Sequence, residues 1–116
     1  MPATLQDRCT HILDAIANIR SLLDGLGPHA LADGVRVRPA FERHLEIISE
    51  AIRYLPTADK ARHPMVPWSD IAGLGNRLRH GYDQIRSDIL WGVYAYELDP
   101  LEHAVRTIRD TGGDQA

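Results

Sequence analysis

Residues 5–28 read LQDRCTHILDAIANIRSLLDGLGP, and this stretch decides the fold class. Leu5, Cys9, Ile12, Ile16, Ile19, Leu23 and Leu26 recur at alternating steps of four and three. Such steps place side chains along one face of a 3.6-residue helix, so the stretch predicts an amphipathic helix with a single apolar stripe. Thr4 and Asp7 stand three apart at its start and read as an N-terminal cap. Gly25, Gly27 and Pro28 end it. A second stripe, Phe41, Leu45, Ile48, Ile52 and Leu55, repeats the same steps. Pro39 suits its first turn and Pro56 lies just past its end. Cys9 lies on the first stripe and reads as core rather than nucleophile.

The rest of the chain extends this pattern. A loop is expected up to about Gly34, and another over residues 56–67, which hold Pro56, Pro64 and Pro67. A third helix starts near Trp68 or Ser69 and turns Ile71, Leu74 and Leu78 inward. It tolerates Gly73 and Gly75 at a cost of about 1 kcal/mol each against alanine. Ser87 caps a fourth helix with Ile89, Val93 and Tyr96 on one face. Asp99-Pro100 is a cap and first-turn pair that breaks the chain before a last helix through Leu101, Val105 and Ile108. No window alternates with a period of two. The prediction is an all-α antiparallel bundle of four to five helices, the last kinked near Pro100. It forms one domain over residues 1–110, with a frayed tail over 111–116.

Composition narrows the function classes. At 116 residues, 44% apolar and 25% charged, the chain can bury one hydrophobic core without staples. No apolar run approaches the roughly 18 residues of a membrane span. The start of the sequence lacks the basic and apolar regions of a signal peptide, so a cytoplasmic location is expected. Cys9 is the single cysteine, which excludes an internal disulfide and a multi-cysteine zinc site. The six histidines form no zinc-protease pair, and Gly73-Leu74-Gly75 does not continue as a dinucleotide loop, so neither metal nor cofactor is expected. A net charge of −3 argues against a general nucleic-acid binder. The charge is uneven, however: residues 60–86 carry +3 and residues 87–116 carry −4.

The positive block contains the chemistry. Residues 67–83 read PWSDIAGLGNRLRHGYD. Arg77 and His80 are three apart and therefore neighbours on one helix face. An imidazole moves protons near neutral pH, and a guanidinium stabilises charge building on phosphate oxygens, so the pair suits phosphodiester chemistry. Asn76, Tyr82 and Asp83 add polar groups around it. From the residues alone, a solvated, capped helix end accounts for the same pattern. Arg43 and Glu46, three apart on the second helix and off its apolar stripe, either orient the His80 region or form an intrahelical ion pair. Trp68 and Trp91 read as packing residues.

The segment closely resembles the HepT-like branch of the HEPN superfamily. The match lies in Pro67-Trp68, Gly73-Leu74, Asn76-Arg77-Leu78 and His80-Gly81-Tyr82. It extends to residues 11–16 of the first helix, residues 43–51 of the second, Asp88-Ile89-Leu90-Trp91, and Leu98-Asp99-Pro100-Leu101. The resemblance implies a homodimeric, metal-independent ribonuclease. It would be the toxin of a type VII toxin–antitoxin pair whose antitoxin is a minimal nucleotidyltransferase. His80 carries over as the general acid/base, and Tyr82 as the tyrosine that receives AMP. The family motif is an arginine, then four to six intervening residues, then the histidine, and this chain has Gly75, Leu74 and Gly73 at the positions open to the arginine. Gly75 stands at the matched position and implies a weakened or inactive enzyme, with Arg77 a substitute clamp on the His80 face. On this reading Gly75→Arg restores cleavage. The alternatives are a non-catalytic helical partner of the nucleotidyltransferase, or a subunit that presents a nucleotide to it.

Overall fold

A computed structural model of the chain describes residues 3–33, 35–81 and 85–112. The described residues are helical, without strands: α1 (Leu5–Leu23), α2 (His29–Asp33), α3 (Val37–Arg53), α4 (Thr57–Ala61), α5 (Trp68–His80), α6 (Ser87–Gly92), a π-helical turn (Val93–Glu97) and α7 (Leu98–Thr111). Among the described residues no helix is long and apolar enough to cross a membrane.

α1 starts as the sequence predicts. The Thr4 hydroxyl accepts from the Asp7 amide at 3.0 Å, and the Asp7 carboxylate accepts from the Thr4 amide at 3.0 Å. These reciprocal bonds satisfy two donors left without partners at the helix start. The stripe from Cys9 to Leu23 is buried, whereas Leu26 lies beyond the helix end and is 41% exposed. The apolar period thus outruns the helix by one residue.

α1, α3, α5 and α7 form the bundle. Arg8 at the start of α1 stacks on Tyr54 at the end of α3, so these two run antiparallel. At the other end of α1, Arg20 bonds Asp99 at 2.7 Å and Glu102 at 2.9 Å on α7. Gln6 donates to the Gly112 carbonyl, which makes α1 and α7 antiparallel as well. Phe41, Leu45, Ile48 and Ile52 of α3 meet Ile12, Ile16 and Ile19 of α1 in one core with Ile71, Leu101, Val105 and Ile108. Arg38 near the start of α3 donates to the Ile85 carbonyl and bonds Glu42 at 2.9 Å, tethering the segment that leads into α6.

Several local expectations change. The two proline- and glycine-rich loops each contain a short helix, α2 and α4. Ser87 is the first residue of α6 rather than its cap, and Arg86 takes the cap position without a side-chain capping bond. Asp99 does not cap α7 but lies inside it, paired with Arg20. The irregularity expected at Pro100 is the π turn just before it. Proline has no amide to bond the carbonyl four residues back and its ring crowds that carbonyl, and a widened turn relieves the conflict. α7 runs through Thr111, and Gly112 is buried against it.

Hydrogen bonds from Arg106, with the Arg20 and Arg106 charges, hold the Glu102 carboxyl below its ordinary value of 4.5. The unfolded chain therefore takes up a proton at Glu102 before the folded chain does. Stability from this group is present above pH 4.5 and is lost as pH falls below it. Thermal melts followed by circular dichroism should show Glu102→Gln losing less stability on acidification than the parent.

Candidate nucleic-acid interface

The geometry of α5 follows from one close contact. Ser49 on α3 is 3% exposed, and its hydroxyl donates to the Ala72 carbonyl of α5 at 2.8 Å. Gly75, one turn further along α5, lies against the same serine. A Cβ built at position 75 would stand 2.0 Å from Ser49 Cβ and 2.3 Å from its Oγ. Only a residue without a side chain lets the two helices approach this closely.

Gly75 therefore has a packing role that the motif comparison does not reveal. Position 75 faces α3, so an arginine there would be driven into the helix interface before it could reach His80. By contrast, a Cβ at Gly73 would meet nothing within 4 Å. Gly73, Arg77 and His80 follow at steps of four and three and share one face of α5. Within the motif's range of four to six intervening residues, the position that shares the histidine's face is 73. The departure from the family pattern therefore concerns two glycines with different surroundings.

α5 ends at His80, where Gly81 adopts φ 64° and bonds the carbonyls of Arg77 at 3.0 Å and Leu78 at 3.3 Å. This left-handed cap suits glycine and fixes His80 as the last helical residue. Arg77, Arg79 and His80 all lie in the final turn, where cations meet the negative end of the helix dipole. Arg77 and His80 are both exposed. Asn76 is exposed, and its side-chain oxygen accepts from Arg79 at 3.1 Å. Arg79 also bonds Glu50 at 3.0 Å. The predicted contributors Tyr82 and Asp83 lie outside the described residues.

Arg43 and Glu46 fall elsewhere than expected. With Gly75, Asn76 and Arg79 they line a groove of about 300 Å³ between α1, α3 and α5, which also includes Arg8, His11, Glu50 and Arg53. Neither Arg77 nor His80 belongs to that lining. Among the described residues no ion pair joins Arg43 to Glu46. Sequence reasoning missed Arg8, His11, Arg53 and Arg79 as contributors. The available signal was the polar series Arg43, Glu46, Glu50 and Arg53 on α3, spaced by three, four and three, opposite the apolar stripe.

Burial pushes the Cys9 thiol up to about 11, which keeps it protonated and unreactive near neutral pH. Among the described residues no three His, Cys, Asp or Glu side chains converge as metal ligands.

The family model described as ribonuclease HepT-like matches residues 12–108. The chain belongs to the HepT-like ribonuclease family. It is similar to "Putative RNase TTE0752" of Caldanaerobacter subterraneus subsp. tengcongensis, at 41% identity over 60% of this chain and 62% of that one. It is also similar to "Putative RNase MJ1380" of Methanocaldococcus jannaschii, at 28% identity over 84% of this chain and 89% of that one. A third relative, "Probable ribonuclease HepT" of Thermococcus cleftensis, is 31% identical over 58% of this chain and 61% of its own. The matched region thus spans less than two thirds of the first and third of these HepT-like relatives. No solved structure matches significantly.

The two glycines of α5 should respond in opposite ways. Gly73→Ala adds a methyl in open space and should stabilise by about 1 kcal/mol through helix propensity. Gly75→Ala overpacks the α3 contact, a cost of about 1–3 kcal/mol that should outweigh the same propensity gain. Urea unfolding of both variants measures the difference, and Gly75→Arg should be less stable than either.

Proposed function

We propose that this HepT-like protein is a metal-independent RNA endonuclease with His80 as its general acid/base. The observation that carries the reading is the exposed, capped end of α5, where Arg77 and His80 lie together within a chain of ribonuclease family. In the proposed reaction the RNA 2′-hydroxyl attacks the adjacent phosphorus and the 5′-oxygen leaves. The products are a 2′,3′-cyclic phosphate and a 5′-hydroxyl. One imidazole takes the proton from the 2′-oxygen, and a second gives one to the leaving oxygen. Arg77 stabilises the charge that builds on the phosphoryl oxygens. The need for a 2′-hydroxyl makes RNA the substrate rather than DNA.

The second imidazole comes from a second copy of the chain, so the reading includes a homodimer with one shared cleft. A surface suited to this lies beside Arg77. There Ile89 is 43% and Tyr96 77% exposed, flanking Leu74 and Gly73 of α5. We further propose, with the family resemblance, that the protein is the cytoplasmic toxin of a pair. Its antitoxin is a minimal nucleotidyltransferase that transfers AMP to Tyr82. A negative phosphate beside the cleft would repel the RNA backbone.

The missing motif arginine favours a second reading, that of a non-catalytic partner of the nucleotidyltransferase. Neither Gly73, in open space on the His80 face, nor Gly75, packed on Ser49, supplies it. Purified protein and chelator-treated RNA distinguish the two. Cleavage with cyclic-phosphate ends, reduced about 10²–10⁴-fold in His80→Ala, supports the nuclease. Intact RNA with wild-type protein supports the partner. In the nuclease case Gly73→Arg should raise the rate, because it adds a cation on the His80 face. AMP transfer is checked separately by mass spectrometry, where labelling should disappear in Tyr82→Phe.

A further inference from the structure

The groove between α1, α3 and α5 is not used by the chemistry proposed for His80, and its electrostatics differ from those of the chain. Four arginines, Arg8, Arg43, Arg53 and Arg79, face two carboxylates, Glu46 and Glu50. The lining is therefore locally cationic in a chain whose net charge is −3. Two of the four guanidiniums are already held in place. Arg8 lies 3.9 Å from the centre of the Tyr54 ring, and Arg79 is fixed by Asn76 and Glu50. Arg43 and Arg53 are exposed and have no ion-pair partner among the described residues. Preorganised cations beside uncompensated ones are what a phosphate group requires.

Position relative to α5 gives the ligand. Asn76 lines this groove and also the shallow surface of Gly73, Leu74 and Arg77 on the other side of the helix. A chain of phosphates crossing the Asn76 ridge would touch Arg77 on one side and Arg79 on the other. A single small anion has no need of both sides.

We propose that the groove between α1, α3 and α5 is a phosphate subsite for an RNA strand. Arg43 and Arg53, with Arg8 and Arg79, hold a phosphodiester away from the bond presented to His80. The inference rests on RNA being the substrate, and it assigns the residues that grip the strand rather than cut it. Arg43 and Arg53 are positioning residues. Glu46 opposes them and sets an upper bound on the grip.

The test is fluorescence anisotropy with a labelled, mixed-sequence 2′-O-methyl RNA, which lacks the attacking hydroxyl and cannot be cleaved, across a salt series. Arg43→Gln/Arg53→Gln should weaken binding by roughly tenfold or more and flatten the salt dependence by about 0.7 in log–log slope per lost phosphate contact. Arg43→Lys/Arg53→Lys should restore most of that slope, and Glu46→Gln should tighten binding. Circular dichroism confirms that these surface variants fold. If wild-type protein binds the RNA and the double glutamine variant binds equally well, the subsite is overturned while the ribonuclease reading stands. If wild-type protein binds in this groove-dependent way but never cleaves, the subsite stands and the nuclease reading falls. If AMP displaces the strand at equal concentration, the ligand is a free nucleotide and the strand proposal is overturned. Absence of RNA binding by wild-type protein overturns both.

Discussion

The approach of α5 to α3 at Gly75 and Ser49 is the constraint on which the rest of the structure depends. With no side chain at position 75, the serine hydroxyl reaches the Ala72 carbonyl and one helix settles on the other. That contact fixes the rotation of α5 about its own axis. Spacing pairs Arg77 with His80 and Asn76 with Arg79, and rotation decides where each pair faces: Asn76 and Arg79 towards the groove, Arg77 and His80 away from it. A helix seated even half a turn differently would exchange these groups. The site is therefore set by a packing event in the core, one layer below the residues that carry its chemistry.

The same rotation explains how an acidic chain presents basic surfaces. Net charge describes the far field, and beyond a Debye length of about 8–10 Å salt screens most of it. At contact distance the local arrangement decides. Glu102 and Asp99 are engaged with Arg20 at the α1–α7 contact, far along α1 from Arg8. The acidic excess of the C-terminal segment is thus partly used within the bundle. Arg43 and Arg53 of α3 and Arg79 of α5 instead line the groove.

The bundle was legible in the sequence because its helices carry unbroken stripes. Steps of three and four from Cys9 to Leu23 and from Phe41 to Leu55 leave one way to bury the apolar groups. The cap at Thr4 and Asp7 was equally visible, because it is a local pair with a fixed spacing. Leu26 was misread because periodicity does not register where the backbone turns away. The π turn before Pro100 was anticipated as a break but not as a widening, since proline reports a conflict without stating how it is resolved. The site was half legible. Arg77 and His80 emerge from spacing within a single helix. The groove draws residues from three helices, and nothing local in the sequence places Arg8 near Arg53. Gly75 shows the limit most clearly: alignment to a motif gives the missing side chain, but only tertiary packing shows which way that side chain would have pointed.

The two tryptophans carry a consequence of a spectroscopic kind. The Trp68 indole donates to the carbonyls of Lys60 and His63, at 3.0 and 3.1 Å, and so is wired to the turn after α4. Trp91 instead packs against Tyr94 with ring centres 4.9 Å apart, at the entrance to the π turn. One fluorophore therefore registers the loop that launches α5, and the other registers the irregular turn that precedes α7. Replacing each by phenylalanine in turn would resolve the protein's intrinsic emission into two local reporters. Unfolding could then be followed separately at the element that bears His80 and at the element where the last helix changes its winding.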